Sequence, residues 1–323
     1  ASVGEFWLGL VPLGVNPITG LCEFYHLRSA CDGDVGAAAQ LPIPVHNKDG
    51  DIDVGDDTGI VFVLLPGGRC TLGVQGVDPD GKNYDPHHQP SDTIYEVDLS
   101  PFLLARHEMT QGQWARLAGG DLGSRFPSVM GAGRTYVVNG RPVDSKITQA
   151  HPVDRVNWTM SSRCMLRHGL TLPTEAQWEY ACRAGSKDLW CVGVQQLSRY
   201  ANLSDQSRGR NWNPAKATHA KPAPWDDGYA RFAPVGSFRA NLFGMHDMHG
   251  NVTEWCRDHW GSYGLERSGD GLNMRAQNRN RCLRGGGCRD HFLAARTGQR
   301  GALAPTAQLE SVGVRAARMI KLP

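Results

Sequence analysis

The sequence contains no uninterrupted run of about 20 apolar residues, the length needed to cross a bilayer, so no membrane insertion is expected. No block of like charge is present, and Lys plus Arg (34) nearly cancels Asp plus Glu (32). That balance leaves no electrostatic footprint for nucleic acid or an anionic membrane surface, so any partner must be recognised locally. The N-terminus, ASVGEFWLGL, lacks the basic region and cleavage pattern of a signal peptide. The chain also begins without methionine, which leaves a trimmed precursor, an upstream domain or surface display open. There is no CxxC pair, and the cysteines number nine. This pattern favours reduced, buried thiols in a cytoplasmic setting over a disulfide framework.

What is abundant is glycine (39), proline (19) and tryptophan (9), a composition of turns and irregular connections rather than a bundle or a doubly wound sheet. Residues 1–56 read as an extension with one or two strands (EFWLGLVPLG, CEFYHL), followed by the polar linker HNKDGDIDVGDD. The main domain is expected over 57–323. GIVFVLLPGG is a buried strand stopped by Pro-Gly-Gly, and CTLGV a short strand after the turn.

Three helices are expected. In TQGQWARLAGG, Thr110 and Gln113 form a capping box, and Gly119-Gly120 ends the run. PTEAQWEYACRAG repeats the device with Thr174 and Gln177, and Gly185 as the stop. TMSSRCMLRHG stops at Gly169. LRGGG and VGVRAARMI read as strands. Residues 186–245 form a long Trp-, Gly- and Pro-rich region without periodicity, and such a loop needs something to hold it, for which bound metal is a frequent answer.

FVLLPGG, HEMTQGQW, HPVDRVNW, LTLPTEAQWEYACRAG, YANL, FGMHDMHGNVTEWCRDHW, LRGGG and VGVRAAR occur together and in order across roughly 59–318. In this combination the chain resembles the formylglycine-generating enzyme, or sulfatase-modifying factor, family. The resemblance implies an irregular α+β domain, a variant of the C-type lectin fold with little regular secondary structure.

Asp247, Asn251 and Glu254 are packed around Gly250 in DMHGNVTEW. Hard oxygen ligands at a glycine turn suit Ca²⁺, and a turn capped by Asp and Asn side chains accounts for the same residues equally well. The resemblance implies a structural calcium here, on the side chains of Asp247 and Glu254 and the carbonyls of Gly250 and Val252. It implies a second on Asn202, the Leu203 carbonyl, Asp227 and the Tyr229 carbonyl. His246 and His249 flank Asp247 and pose the alternative of a transition-metal site. His87 and His88, in YDPHHQPSD, read as solvated.

Members of this family that oxidise a substrate cysteine hold copper on two cysteines a few residues apart after the GGS-type turn. Here the corresponding stretch is GGGCRDHFLAARTGQR, and no cysteine follows Cys288. Cys282 and Cys288, if the residues between them were extended, would stand roughly 20 Å apart, far beyond the Cα separation of about 4.4–6.8 Å in a disulfide. Only a tight reversal at the glycines would join them. Relatives carry an apolar strand residue at the position of Cys282 and often an aromatic at that of Cys288, so the resemblance implies Cys282 in the core and Cys288 beside a surface pocket, and copper is not expected. The alternative is a copper- or other metal-dependent oxidase with rearranged ligands. The family's iron-dependent sulfoxide synthases draw their ligands from an extra helical bundle, which does not fit before residue 59, so that chemistry is expected only with an upstream partner.

The same fold also serves as the variable protein of diversity-generating retroelements, whose framework RxLRGGxx…AR…R…VGxR appears here as RCLRGGGCRDHFLAARTGQRGALAPTAQLESVGVRAAR. Between framework residues lie Cys288, Arg289, Asp290, His291, Leu293, Gln299, Gly301, Leu303, Gln308 and Glu310. These are the candidate contacts for an unknown protein or small-molecule ligand, Arg289, Asp290 and His291 foremost. Ordinary divergence of a noncatalytic relative would leave the same pattern.

Overall fold

Alternation of apolar side chains across one strand sets the architecture. In the computed structural model, β3 spans Ile60–Leu65. Its residues 60 and 62 point into one core, with Trp114, Met165 and Trp255, while 63 and 65 point into another, with Ala176, Trp178 and Met248. A period of two makes a strand that is buried on both faces read as a continuous apolar run. The structure describes residues 9–31, 41–89, 92–119, 147–209, 221–263, 269–275 and 279–320, with backbone alone at 136–138, 141–143 and 208–209.

β3 is central in a five-stranded antiparallel sheet. Its neighbours are β2 (Cys22–His26) and β6 (Phe102–Ala105); β1 (Leu10–Val15) and β15 (Ala317–Met319) form the edges. The first strands of the chain thus continue the domain's own sheet, with Phe24 opposite Phe62. Buried Arg106 secures this segment further, donating to Glu23 at 2.8 Å and to Asp51 at 2.5 Å.

A hairpin of β4 (Gly68–Leu72) and β5 (Tyr95–Leu99) follows β3. The helices are α1 (Gln111–Ala118), α2 (Trp158–Arg167) and α3 (Glu175–Arg183). Both expected capping boxes are present, at Thr110/Gln113 and Thr174/Gln177. α1 ends on left-handed Gly119, whereas α3 ends one residue before its expected stop, on left-handed Ala184 followed by Gly185. α1 and α2 pack on the first core and α3 on the second. The short strands β7 (Tyr136–Val138) and β8 (Arg141–Val143) pair with each other.

The C-terminal third builds the second main sheet. β9 (Ala201–Asn202) pairs in parallel with β10 (His249–Gly250). A single-turn helix, α4 (Gln206–Gly209), lies between them in sequence. β11 (Thr253–His259) is flanked by β12 (Arg281–Arg284) and β14 (Val312–Gly313), and β13 (Gly301–Leu303) completes the order β13-β12-β11-β14. The period of two again divides side chains: Leu283 joins the first core and Cys282 the second.

Candidate functional site

The C-terminal segment is built as anchors alternating with outward residues. After β12 the backbone reverses through left-handed Gly285 and Gly286 (φ 94° and 69°), a conformation glycine adopts without strain. Four framework arginines are then almost fully buried. Arg284 donates to Glu179 at 2.6 Å, and Arg300 to both oxygens of Glu175 at 2.6 and 2.8 Å. Arg296 donates to Asp85 at 2.8 Å, and Arg315 grips Glu254 at 2.7–3.1 Å. Arg300 also stacks over Tyr263 and Trp260, at 3.9 and 4.5 Å. Buried charges survive only when paired in this way.

The residues between these anchors fall into neighbouring groups. Arg289 bonds Glu310 at 2.6 Å, and Arg231, which the sequence reading did not single out, reaches the same carboxylate at 3.8 Å. Asp290 accepts from Gly287 N at 2.9 Å and so braces the turn. His291 caps the short 3₁₀ turn Phe292–Ala295 and lies 4.1 Å from the Phe292 ring, centre to centre. Leu293 packs with Phe292 on a cluster containing Trp190 and Leu203. Gln299 accepts from Arg296 at 3.0 Å. Gly301 and Leu303 lie on β13; Leu303 packs on the first core, and exposed Gln308 reaches the Met160 sulfur.

The two cysteines separate. Cys282 is fully buried on β12, its Sγ 3.5 Å from Glu175, and burial together with that carboxylate pushes its thiol well above the usual range. Cys288 is also buried, against Phe232 and Val252 in a different cluster, with its Sγ 3.9 Å from Ser311 Oγ. It therefore backs the turn from beneath, while Arg289, Asp290 and His291 remain half-exposed.

The two oxygen-rich groups differ in how well they suit a hard cation. In DMHGNVTEW, Asp247, Gly250 and Asn251 all have left-handed backbones. Asp247 Oδ2 accepts from Gly236 N, while its buried Oδ1 accepts no hydrogen bond from the described residues. Glu254, however, already takes the Arg315 guanidinium and the Trp178 indole N–H at 2.7 Å. Glu108, which sequence reasoning missed, accepts from Val252 N and Asn251 Nδ2 at 2.9 and 2.7 Å. Burial and the nearby Asp247 and Glu254 push its carboxyl well up. In HEMTQGQW it reads only as an acid two residues before the Thr110 cap, which gives no signal of its distant partners.

At the other group, Asn202 Oδ1 is buried with no hydrogen-bond donor among the described residues. Asp227 accepts from Leu203 N at 3.1 Å and Tyr229 N at 2.8 Å, which draws all four expected residues together. Burial and the neighbouring Asp205 push Asp227 up to about 7. Asn202 Oδ1 and Asp227 are thus oxygen donors of the kind a hard cation takes, and the Asp227 carboxylate, unlike that of Glu254, accepts from no arginine among the described residues. Among the described residues, no three His, Cys, Asp or Glu side chains are grouped as a metal site on their own.

The histidines serve as struts. His246 Nδ1 donates to Phe238 O, and His249 Nδ1 donates to Ala295 O, both at 2.7 Å, while His249 Nε2 accepts from Cys191 N. His87 and His88 are exposed.

Two antiparallel-rich sheets, two cores and a C-terminal segment pinned by buried arginines define an irregular mixed α/β domain of the C-type lectin-like class. The sulfatase-modifying factor enzyme 1-like domain matches residues 56–320, and the chain belongs to that family. It is 28% identical to the formylglycine-generating enzyme of Thermomonospora curvata over 230 residues, covering 62% of this chain and 71% of that one. Its fold is shared with PvdO from Pseudomonas aeruginosa (TM-score 0.61, 24% identity, covering 86% of this chain and 99% of that one). It is likewise shared with Treponema denticola variable protein 1 (TM-score 0.56, 21% identity, covering 80% and 96%).

Proposed function

We propose that the chain is a noncatalytic, calcium-stabilised member of its family that presents residues 288–310 as a recognition surface for a protein or small-molecule ligand, in the manner of a retroelement-diversified variable protein. The observation that carries this reading is the division of labour along the segment. Arg284, Arg296, Arg300 and Arg315 are buried and ion-paired, whereas Arg289, Asp290, His291, Gln299, Gln308 and Glu310 contribute to the surface between them. Such an arrangement largely separates stability from surface chemistry, because among the described outward side chains Gln299 alone bonds an anchor, Arg296, at 3.0 Å.

Calcium enters the reading as a structural ion held by Asn202 and Asp227 with the neighbouring carbonyls, tying the 186–245 region to β10. The copper-oxidase alternative would need a second thiolate beside Cys288. Cys282 is instead committed to the α3 side of the molecule, beside Glu175.

Combined substitution of Arg289, Asp290, His291 and Gln308 by alanine tests the reading. The expected loss is about 1–2 kcal/mol, chiefly the His291 cap and the Asp290 brace, whereas Arg284→Ala alone costs about 3–5 kcal/mol. A surface variant as unstable as the anchor variant would overturn the division. Copper-loaded protein is expected to leave a cysteine peptide unoxidised, and Cys288-dependent oxidation would overturn the noncatalytic assignment. The flanking DNA is expected to hold a reverse transcriptase and a near-copy of the 3′ coding segment; their absence would remove the retroelement element of the proposal.

A further inference from the structure

A cleft of about 430 Å³ opens between the loop after β4 and the loop after α3. Its volume falls in the roughly 300–1,000 Å³ range typical of small-molecule sites. Tyr84 lines one wall, and Leu189 and Trp190 line the other; Asp80, Lys187 and Asp188 are exposed at the rim.

Both walls are fixed. Asp85, next to Tyr84, is ion-paired with buried Arg296 at 2.8 Å, and Asp85 N donates to Gln75 O at 2.8 Å. Across the cleft, the Trp190 indole donates to Phe292 O at 3.2 Å, and Leu189 O accepts from Thr297 N at 2.7 Å. Trp190 sits in an apolar cluster with Leu197 and Leu203, which gives that side a rigid hydrophobic floor. The side chains of Asp80, Lys187 and Asp188 enter no hydrogen bond or ion pair with other described residues. The rim therefore offers two uncommitted carboxylates against one ammonium.

We propose that this cleft binds a small organic cation, a primary amine on an apolar or aromatic body, with the amine served by Asp80 and Asp188 and the body by Tyr84 and Leu189. An anion would meet one favourable and two repulsive charges at the rim. A primary amine meets the reverse, and the Tyr84 ring adds the attraction of an aromatic face for a cation. None of the lining residues is a recognition-surface candidate or an expected calcium ligand, although Trp190 packs in one cluster with Leu293 and Leu203.

Phenethylamine, phenethyl alcohol and phenylacetate share one body and differ in charge, so titrating each into the intact protein by NMR or calorimetry isolates the rim. Exposed carboxylates each contribute about 1.5- to 5-fold, so phenethylamine is expected to bind about fivefold more tightly than the alcohol, and phenylacetate more weakly than both. The preference is expected to shrink with added salt. The double variant Asp80→Asn with Asp188→Asn, both at exposed positions, is expected to bring the amine to the affinity of the alcohol. Tyr84→Ala is expected to weaken amine and alcohol alike. Equal binding of phenylacetate and phenethylamine, an unchanged amine affinity in the double variant, or no amine binding up to about 10 mM would each overturn the proposal.

Discussion

Replacing Arg300 by methionine tests whether the C-terminal segment is held by its buried charges. Arg300 donates through Nε and Nη2 to the two oxygens of Glu175, at 2.6 and 2.8 Å, and approaches Asp92 at 3.6 Å. Glu175 has no solvent exposure. Removing one member of a buried pair costs about 3–5 kcal/mol, because the remaining charge loses both its partner and its solvent. Glu175 would keep Arg284 at 3.8 Å and the Tyr263 hydroxyl at 3.2 Å, which places the expected loss near the lower end, about 3 kcal/mol. Adding Glu175→Gln removes the stranded charge, so the double variant is expected to be more stable than the sum of the singles by about 2 kcal/mol. Urea unfolding followed by tryptophan fluorescence and far-ultraviolet circular dichroism gives the free energies. A single-variant loss below about 1 kcal/mol, or strict additivity, would refute the anchoring argument.

Gly250→Ala is expected to cost more than about 3 kcal/mol, since φ is 90° and a Cβ would lie 2.0 Å from Asn202 O, prising β10 from β9. Gly269→Ala, where a Cβ meets nothing within 4 Å among the described residues, is the control, and equal thermal shifts for the two would contradict the packing. Burial, with Arg318 nearby, holds the His26 imidazole down to about 3, against 6.5 for an unperturbed ring. The unfolded chain then takes up a proton that the folded one refuses, so His26's contribution is fully present above pH 6.5 and drains away as the pH falls from there towards 3. His26→Phe is expected to flatten that part of the stability profile, and an unchanged slope would assign the acid loss elsewhere. Chelation with EDTA is expected to lower the melting temperature reversibly, with calcium at a hundredfold its dissociation constant restoring about 2.7 kcal/mol. Asn202→Ala or Asp227→Asn is expected to remove that response, and a melting temperature indifferent to EDTA would dismiss the structural ion.

Local signals in the sequence placed the helices, because a capping box is a contract among four consecutive residues: Thr110 with Gln113 and Thr174 with Gln177 needed no tertiary partner to be recognised. The same holds for the Ile60–Leu65 strand, whose unbroken apolar run announces burial on both faces. The family resemblance carried the fold and implied a core position for Cys282, which the period of two along β12 explains. Long-range pairing lay outside such reasoning. Arg231 meeting Glu310, Glu108 beneath Asn251, and Asp51 closing on Arg106 join residues 79, 143 and 55 positions apart, and no local pattern encodes them.

By itself, then, the sequence determined the capped helices, the buried strands, the reversal after β12 and the absence of a second cysteine beyond Cys288, since each depends on neighbours along the chain. Only the tertiary structure decided which charges are anchors and which face solvent, that Cys288 lies under the surface, and that two distant loops enclose a cleft. Those properties depend on which segments exclude water from one another, and that is settled when the whole chain packs.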